Sequence, residues 1–203
     1  MLPKIWKPKE LDDLIGPAQA IGRLVQSTCR LAAPDRDPVA LLFHGPSGLG
    51  KSCLADMAER WLGATVWSTT KYNGTQVGIE EVNAWAASLA LRHDELYGTY
   101  RVLRVDEVDK TSIAAQTRLL TVLDDLPPKH AILVTSNQHI EKMEPRFQSR
   151  FQTFEVGPPE PDQIRVLLQR WPIPPQIARH IAELACGNVR AALADAQTQL
   201  AAA

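Results

Sequence analysis

The sequence predicts an α/β fold in which a five-stranded parallel sheet is sandwiched by helices, with a small all-helical unit at the carboxyl-terminal end. Three observations carry that expectation. Five short apolar segments rich in β-branched residues recur between longer stretches of helical patterning. One strand-to-helix turn is the glycine-rich run Gly45-Pro46-Ser47-Gly48-Leu49-Gly50-Lys51-Ser52. Beyond Val156 no further strand pattern occurs, and proline-rich breaks separate segments of helical character.

In chain order the expected strands are VALLF (39–43), ATVW (64–67), YRVLRV (100–105), AILVTS (131–136) and FQTFEV (151–156). Alternation of strand and helix puts crossovers on both faces, so the strands are expected to be parallel and covered on both sides. Between the second and third strands, Val82, Trp85 and Leu89 mark the inward face of an amphipathic helix. Ser112 is a helix cap ahead of a run through Ile113, Leu119, Leu120, Leu123 and Leu126, which Pro127 and Pro128 end. After GPPEP, helices are expected near 162–171, across 175–185 beyond WPIPP, and across 187–202. The expected division is a core over residues 1–156 and a helical unit over 157–203. No internal repeat is present.

Composition bounds the function. The chain has 203 residues, with 22 Lys plus Arg against 23 Asp plus Glu, a net charge of -1 and an apolar fraction of 45%. This describes a globular protein rather than a polybasic coat for nucleic acid, so any contact with DNA must be focal. Cys29, Cys53 and Cys186 form neither a disulfide framework nor a zinc knuckle, and are expected to be free thiols. His44, His93, His130, His139 and His180 lack His-x-x-x-His spacing and read as structural or surface residues. The amino-terminal stretch carries Lys4, Lys7 and Lys9 without an apolar signal core, and no run of about 18 apolar residues occurs. A cytoplasmic protein without a membrane partner is expected.

The chemistry concentrates on two segments. Gly45 to Ser52 fits G-x-x-x-x-G-K-[ST] directly after a strand and before a helix. Glycines there let successive N–H groups face phosphate oxygens, and the helix N-terminus adds partial positive charge. Lys51 would reach the β and γ phosphates of ATP, Ser52 would offer a hydroxyl to Mg2+, and Cys53 continues the site. The third strand ends in Asp106-Glu107. Asp106 would complete the magnesium shell, and Glu107 would polarise the water that attacks the γ phosphate. Arg104, inside that strand, breaks the apolar run; it either lines a polar edge of the site or faces a neighbour.

Together, GPSGLGKS, VLRVDE, AILVTSN, Ser149-Arg150 and Gly187-Asn188-Val189-Arg190 resemble an AAA+ ATPase, a P-loop NTPase, over nearly the whole chain from Leu14-Ile15-Gly16 to Arg190. Within that family the chain looks most similar to clamp-loader subunits. The features behind this are DEVD followed by Ala115-Gln116 and a leucine-rich helix, the Ser-Arg pair, and GNVR. The resemblance implies that Asn137 is sensor 1, Arg150 an arginine finger reaching a neighbouring subunit's site, and Arg190 sensor 2 in a helical lid. It also implies that Ile15 and Gly16 pack on adenine. Phe151 stands where the family's motif has Cys, and Arg146, one turn earlier, is a rival for the finger.

A finger supplied in trans implies a homo- or hetero-oligomer. In this family the segment after the second strand meets the macromolecule in the central channel, here Ser68 to Val82. Three readings stand. Gly78-Ile79-Glu80-Glu81-Val82 resembles a clamp-loader helix start, so that Lys71, Thr75 and Ile79 would meet DNA phosphates. Lys71-Tyr72-Asn73-Gly74 resembles the peptide-gripping loop of protein unfoldases, with Asn73 in place of an apolar residue. The third reading is a polar loop before an amphipathic helix. The expected role is therefore DNA-directed, clamp-loader-like ATP hydrolysis, with helicase loading, transposition-type remodelling or protein remodelling as alternatives. Possible partners are a sliding clamp, a helicase or a subunit that supplies the collar domain which clamp loaders carry beyond this point. A non-catalytic ATP-binding scaffold would not need Glu107, Asn137 and Arg150.

Overall fold

The structure, a computed structural model, describes residues 6–35, 37–89, 98–139 and 145–202. Lys4 and His93 lie outside these residues. Five strands, β1 (Val39–His44), β2 (Thr69–Asn73), β3 (Arg101–Asp106), β4 (His130–Ser136) and β5 (Gln152–Glu155), form one sheet in the order β2-β3-β4-β1-β5. Every pairing is parallel. The register sets His44 opposite Ser136 and Asn73 opposite Asp106, which aligns the carboxyl ends where the motif residues sit. Because β4 lies between β1 and β3, the residue after β4, Asn137, falls between the glycine-rich loop and Asp106-Glu107.

Two apolar clusters fill the two faces, as the period-two alternation of strands demands. Leu41, Phe43, Val102 and Leu133 face α1 (Gly16–Asp35) and α2 (Lys51–Trp61), packing on Val25, Leu54 and Ala58. Leu42, Leu103, Val105, Ile132 and Val134 face the other way. They meet Val82 and Trp85 of α3 (Ile79–Leu89), Leu119 and Leu120 of α4 (Ile113–Asp124), and Phe147 of α5 (Pro145–Arg150). Ser112 caps α4, its hydroxyl accepting from the Ala115 N–H at 3.2 Å. Ile113, which begins that run, is 82% exposed, whereas Ala115 in the same turn is buried in the cluster with Leu119 and Leu120.

The second strand is not where the apolar pattern puts it. Residues 64–67 lead through a turn closed from Thr65 to Ser68, in which Trp67 is 81% exposed, and the strand is the polar stretch Thr69–Asn73. The reason is local. The Ser68 hydroxyl accepts from the Thr65 N–H at 2.9 Å and fixes a turn that β-branched composition does not reveal. As an edge strand, β2 is only half-buried and needs no apolar run. Lys71, Tyr72 and Asn73 therefore belong to the sheet rather than to a channel loop.

Beyond β5, three helices, α6 (Pro161–Leu168), α7 (Pro175–Leu184) and α8 (Val189–Ala202), share their own core of Ile164, Leu168, Ile181, Ala192 and Leu193. Trp6 and Ile15 from the amino-terminal side pack against it, and Trp6 meets Trp171 edge-on at 5.4 Å. No helix among the described residues is long and apolar enough to cross a membrane.

Candidate active site

The glycine-rich loop leaves β1 and enters α2. Gly48 shows why part of it must be glycine: at φ +84°, a Cβ would lie 2.0 Å from the Asn188 side-chain oxygen. The helical unit touches the loop again where the Arg190 N–H donates to the Gly48 carbonyl at 3.3 Å. Lys51 is only 6% exposed and donates to the carbonyls of Gly45 at 2.8 Å and Pro46 at 2.6 Å. Burial, reinforced by the charge of Arg190 and opposed by Asp109 and Glu107, pushes the Lys51 ammonium down to about 8. The loop thus presents a desolvated cation with no carboxylate bonded to it among the described residues, which favours an incoming anion.

Across the sheet, Asp106 is held from several directions. Its Oδ1 accepts from the Thr135 hydroxyl at 3.0 Å and lies 3.4 Å from the Ser52 hydroxyl. Nη2 of Arg104 stands 3.1 Å from both carboxylate oxygens. Two hard oxygen donors from different elements, Ser52 and Asp106, stand side by side, and that donor set fits Mg2+ completed by phosphate and water oxygens.

Glu107 follows in the left-handed region at φ +59°, against Gly74, where any Cβ would meet the Glu107 carbonyl at 2.0 Å. Its Oε1 accepts from Asn137 Nδ2 at 3.1 Å and its Oε2 from Lys110 at 2.7 Å. The hydrogen bond from Lys110, with that residue's charge and the amides of Asn137 and Asn73, holds the Glu107 carboxyl below its ordinary range. Glu107 is ionised and aimed. Asn137 is itself fixed through its N–H, which donates to Asp109 Oδ1 at 3.0 Å. Thr135 ties the carboxylates together, accepting from the Glu107 N–H at 3.1 Å while donating to Asp106.

A cavity of about 450 Å³ opens between the loop and the helical unit. Trp6, Ile15, Leu49, Cys53, Val189 and Arg190 line it, so Ile15, Cys53 and Arg190 meet at one space. Gly16 sits beside it in the left-handed region, with Pro159 and Gln163 where a side chain would go. Pro46 and Ser47 are exposed at the loop's tip, and Leu49 is buried beneath it. Cys29 is buried, which pushes its thiol up to about 12, and Cys186 is exposed.

Other residues named from the sequence lie elsewhere. Arg150 forms a two-point pair with Asp124, Nε to Oδ1 at 2.6 Å and Nη2 to Oδ2 at 2.8 Å. It lines a second cavity with Val39 and Gln152, at the amino ends of β1 and β5 and so at the opposite end of the sheet from the loop. Lys71, on β2, pairs with Glu59 at 2.7 Å instead of projecting from a loop. Thr75 donates its hydroxyl to Asn73 Oδ1 at 2.9 Å, and Ile79 opens α3, where Glu81 already accepts from the Gly78 N–H at 2.8 Å. Thr135, Asp109 and Asn188 lie inside quoted motif segments and Lys110 follows one, but the role of each is identified only by the partner that the fold brings to it.

A family model described as "ATPase family associated with various cellular activities (AAA)" matches residues 41–158. The chain belongs to the AAA family. Among functionally curated proteins none matches significantly. Among solved structures, one variant of Thermotoga maritima RuvB superposes with a TM-score of 0.75 at 21% identity, covering 94% of this chain and 63% of that one. A second RuvB variant gives 0.76 at 20% identity, covering 94% and 64%. A DNA polymerase III gamma subunit-related protein from the same organism gives 0.65 at 16% identity, covering 85% and 57%. This chain therefore spans less than two thirds of the length of each of these structures. The chain has the P-loop fold of that family, a five-stranded parallel sheet flanked by helices.

Proposed function

We propose that this AAA ATPase binds ATP with Mg2+ between the glycine-rich loop, the ends of β3 and β4 and the helical unit, which serves as a lid, and hydrolyses it at a site completed by Arg150 of a neighbouring subunit. The observation that carries the reading is the separation of the parts. Lys51, Ser52, Asp106, Glu107 and Asn137 gather at the carboxyl end of the sheet, whereas Arg150 stands at the amino end. The six residues of β1 lie between, on the order of 20 Å. Within one chain that guanidinium is out of reach of the γ phosphate.

Lys51 and the loop amides bind the phosphates, and Ser52 and Asp106 would hold Mg2+, which would supply charge to offset that developing on the phosphate. Ionised Glu107, oriented by Asn137, orders a water for in-line attack and takes its proton. Arg190 reaches the phosphate end from the lid, and Ile15 and Gly16 flank the base. The macromolecule acted upon is DNA in this reading, supported by the clamp-loader resemblance and by the likeness to the gamma-related protein. The peptide-gripping alternative has lost its loop, since Lys71-Tyr72-Asn73 is sheet.

Steady-state ATP hydrolysis at assembling concentrations, alone and with single-stranded, duplex or primer-template DNA across a salt series, tests this. Stimulation that decays with salt is expected, greatest at primer-template junctions for clamp-loader-like action. Indifference to every DNA, with activity rising only on adding a protein, would replace the DNA reading by protein remodelling.

A further inference from the structure

Arg104 is 2% exposed, in the middle of a strand whose neighbours are apolar. Its guanidinium is not idle. Nη1 meets Asp56 and Glu59 of α2, the latter at 3.1 Å, while Nη2 donates to the Ser52 carbonyl at 3.0 Å and to Asp106 at 3.1 Å. Lys71 and Lys7 close the outer side of the same group, on Glu59 and Asp56. One planar side chain therefore grips, from behind, both residues that flank the phosphate-side metal position: the backbone of Ser52 and the carboxylate of Asp106.

We propose that Arg104 is a positioning residue for the metal half of the site, an internal cation that fixes Asp106 beside Ser52 and keeps a divalent ion on the phosphate side of that carboxylate. This rests on the Mg2+-nucleotide reading above. The reasoning is electrostatic. Asp56, Glu59 and Asp106 are drawn to one point by Arg104. Without the guanidinium, three carboxylates would face each other across a half-buried space. They would separate, take up a proton, or draw Mg2+ behind Asp106, and each outcome removes an oxygen from the productive position. A lysine restores charge but not the fork, since one ammonium cannot bridge α2, the Ser52 carbonyl and Asp106 in a single plane. Hydrogen-bonded partners of metal-binding carboxylates typically alter metal affinity by about 10- to 100-fold when removed.

The test is binding of a fluorescent ATP analogue to the full chain, titrated with Mg2+ and repeated in EDTA. Wild type, Arg104→Met, Arg104→Lys and Arg104→Met combined with Asp56→Asn and Glu59→Gln are compared. The triple variant removes the orphaned carboxylates on α2, so it keeps the question open to measurement should Arg104→Met fail to fold. The expected result is a Mg2+ midpoint raised about tenfold or more in Arg104→Met and in the triple variant, partly rescued by Arg104→Lys, with affinity in EDTA within about twofold of wild type. An unchanged Mg2+ midpoint in a folded variant overturns the proposal, as does a loss of affinity in EDTA as large as that in Mg2+, which marks a merely structural role. Wild-type protein that binds nucleotide equally with and without Mg2+ would instead remove the metal site itself, and the proposal with it.

Discussion

Two buried cations stand on opposite sides of the Ser52–Asp106 contact, and their surroundings could hardly differ more. Lys51, in the mouth of the loop, has two carbonyls as hydrogen-bond partners, and burial pushes its ammonium down to about 8. Arg104, beneath the strand, is opposed by the same burial but surrounded by Asp106, Asp56 and Glu59, which hold it above its ordinary range. The difference separates a cation bonded only to carbonyls from a cation held among three carboxylates. A cation without a carboxylate partner costs the empty protein stability and favours an arriving anion, whereas removing one that is ion-paired on several sides strands its buried partners.

The largest expected effect breaks the comparison on the Lys51 side. Lys51→Ala should lower ATP turnover by about 10³-fold, as loss of a preorganised phosphate contact does, while thermal unfolding of the nucleotide-free chain stays at or above the wild-type temperature. A fall in that temperature would mean Lys51 is structural. The mirror experiment is Arg104→Met, for which chemical denaturation should report a loss of about 3 kcal/mol, since removing one partner strands buried charge. Equal stability of the two variants would erase the distinction. Next, Glu107→Gln should reduce turnover about 100-fold with ATP affinity retained, because the amide keeps the Asn137 contact yet cannot take a proton; joint loss of binding would remove Glu107 from the attacking-water role.

The smallest effect is in pH. Lys51 binds fewer protons in the folded protein than in the unfolded chain between about 8 and its ordinary value of 10.5. Stability of the empty protein should therefore rise with pH through that window relative to Lys51→Ala. Nucleotide affinity runs the other way. It should fall about tenfold from pH 7 to 9, as binding comes to require proton uptake, and calorimetry in buffers of differing ionisation enthalpy would detect that proton. A flat profile would place Lys51 near its ordinary value.

What the sequence made legible follows the same line. Residues that a phosphate dictates, Gly45 to Ser52 and Asp106-Glu107, are contiguous, and their chemistry permits few substitutes. Three central strands followed from apolar runs covered on both faces, and the edge strand β5 from its aromatic and β-branched residues. The edge strand Thr69–Asn73 did not, because half-burial leaves its composition free, and the turn before it borrowed a strand's residues. Arg104 was visible as an anomaly and opaque in purpose, since Asp56 and Glu59 reach it across more than forty positions of chain. Thr135 and Asn188 stood inside quoted motif segments, but their contacts to Asp106 and Gly48 are long-range and show only in the fold.

The placement of Arg150 and Asp124 at the end of the sheet away from the loop has an arithmetic consequence. Under the proposed completion of each site by a neighbour's Arg150, a chain that donates at one end and receives at the other associates with polarity, and its contacts never pair like with like. An open arc of such subunits always contains one fewer complete site than it has members; only closure into a ring makes the numbers equal. Turnover per subunit would then count neighbours, climbing with arc length toward a plateau that closure alone attains.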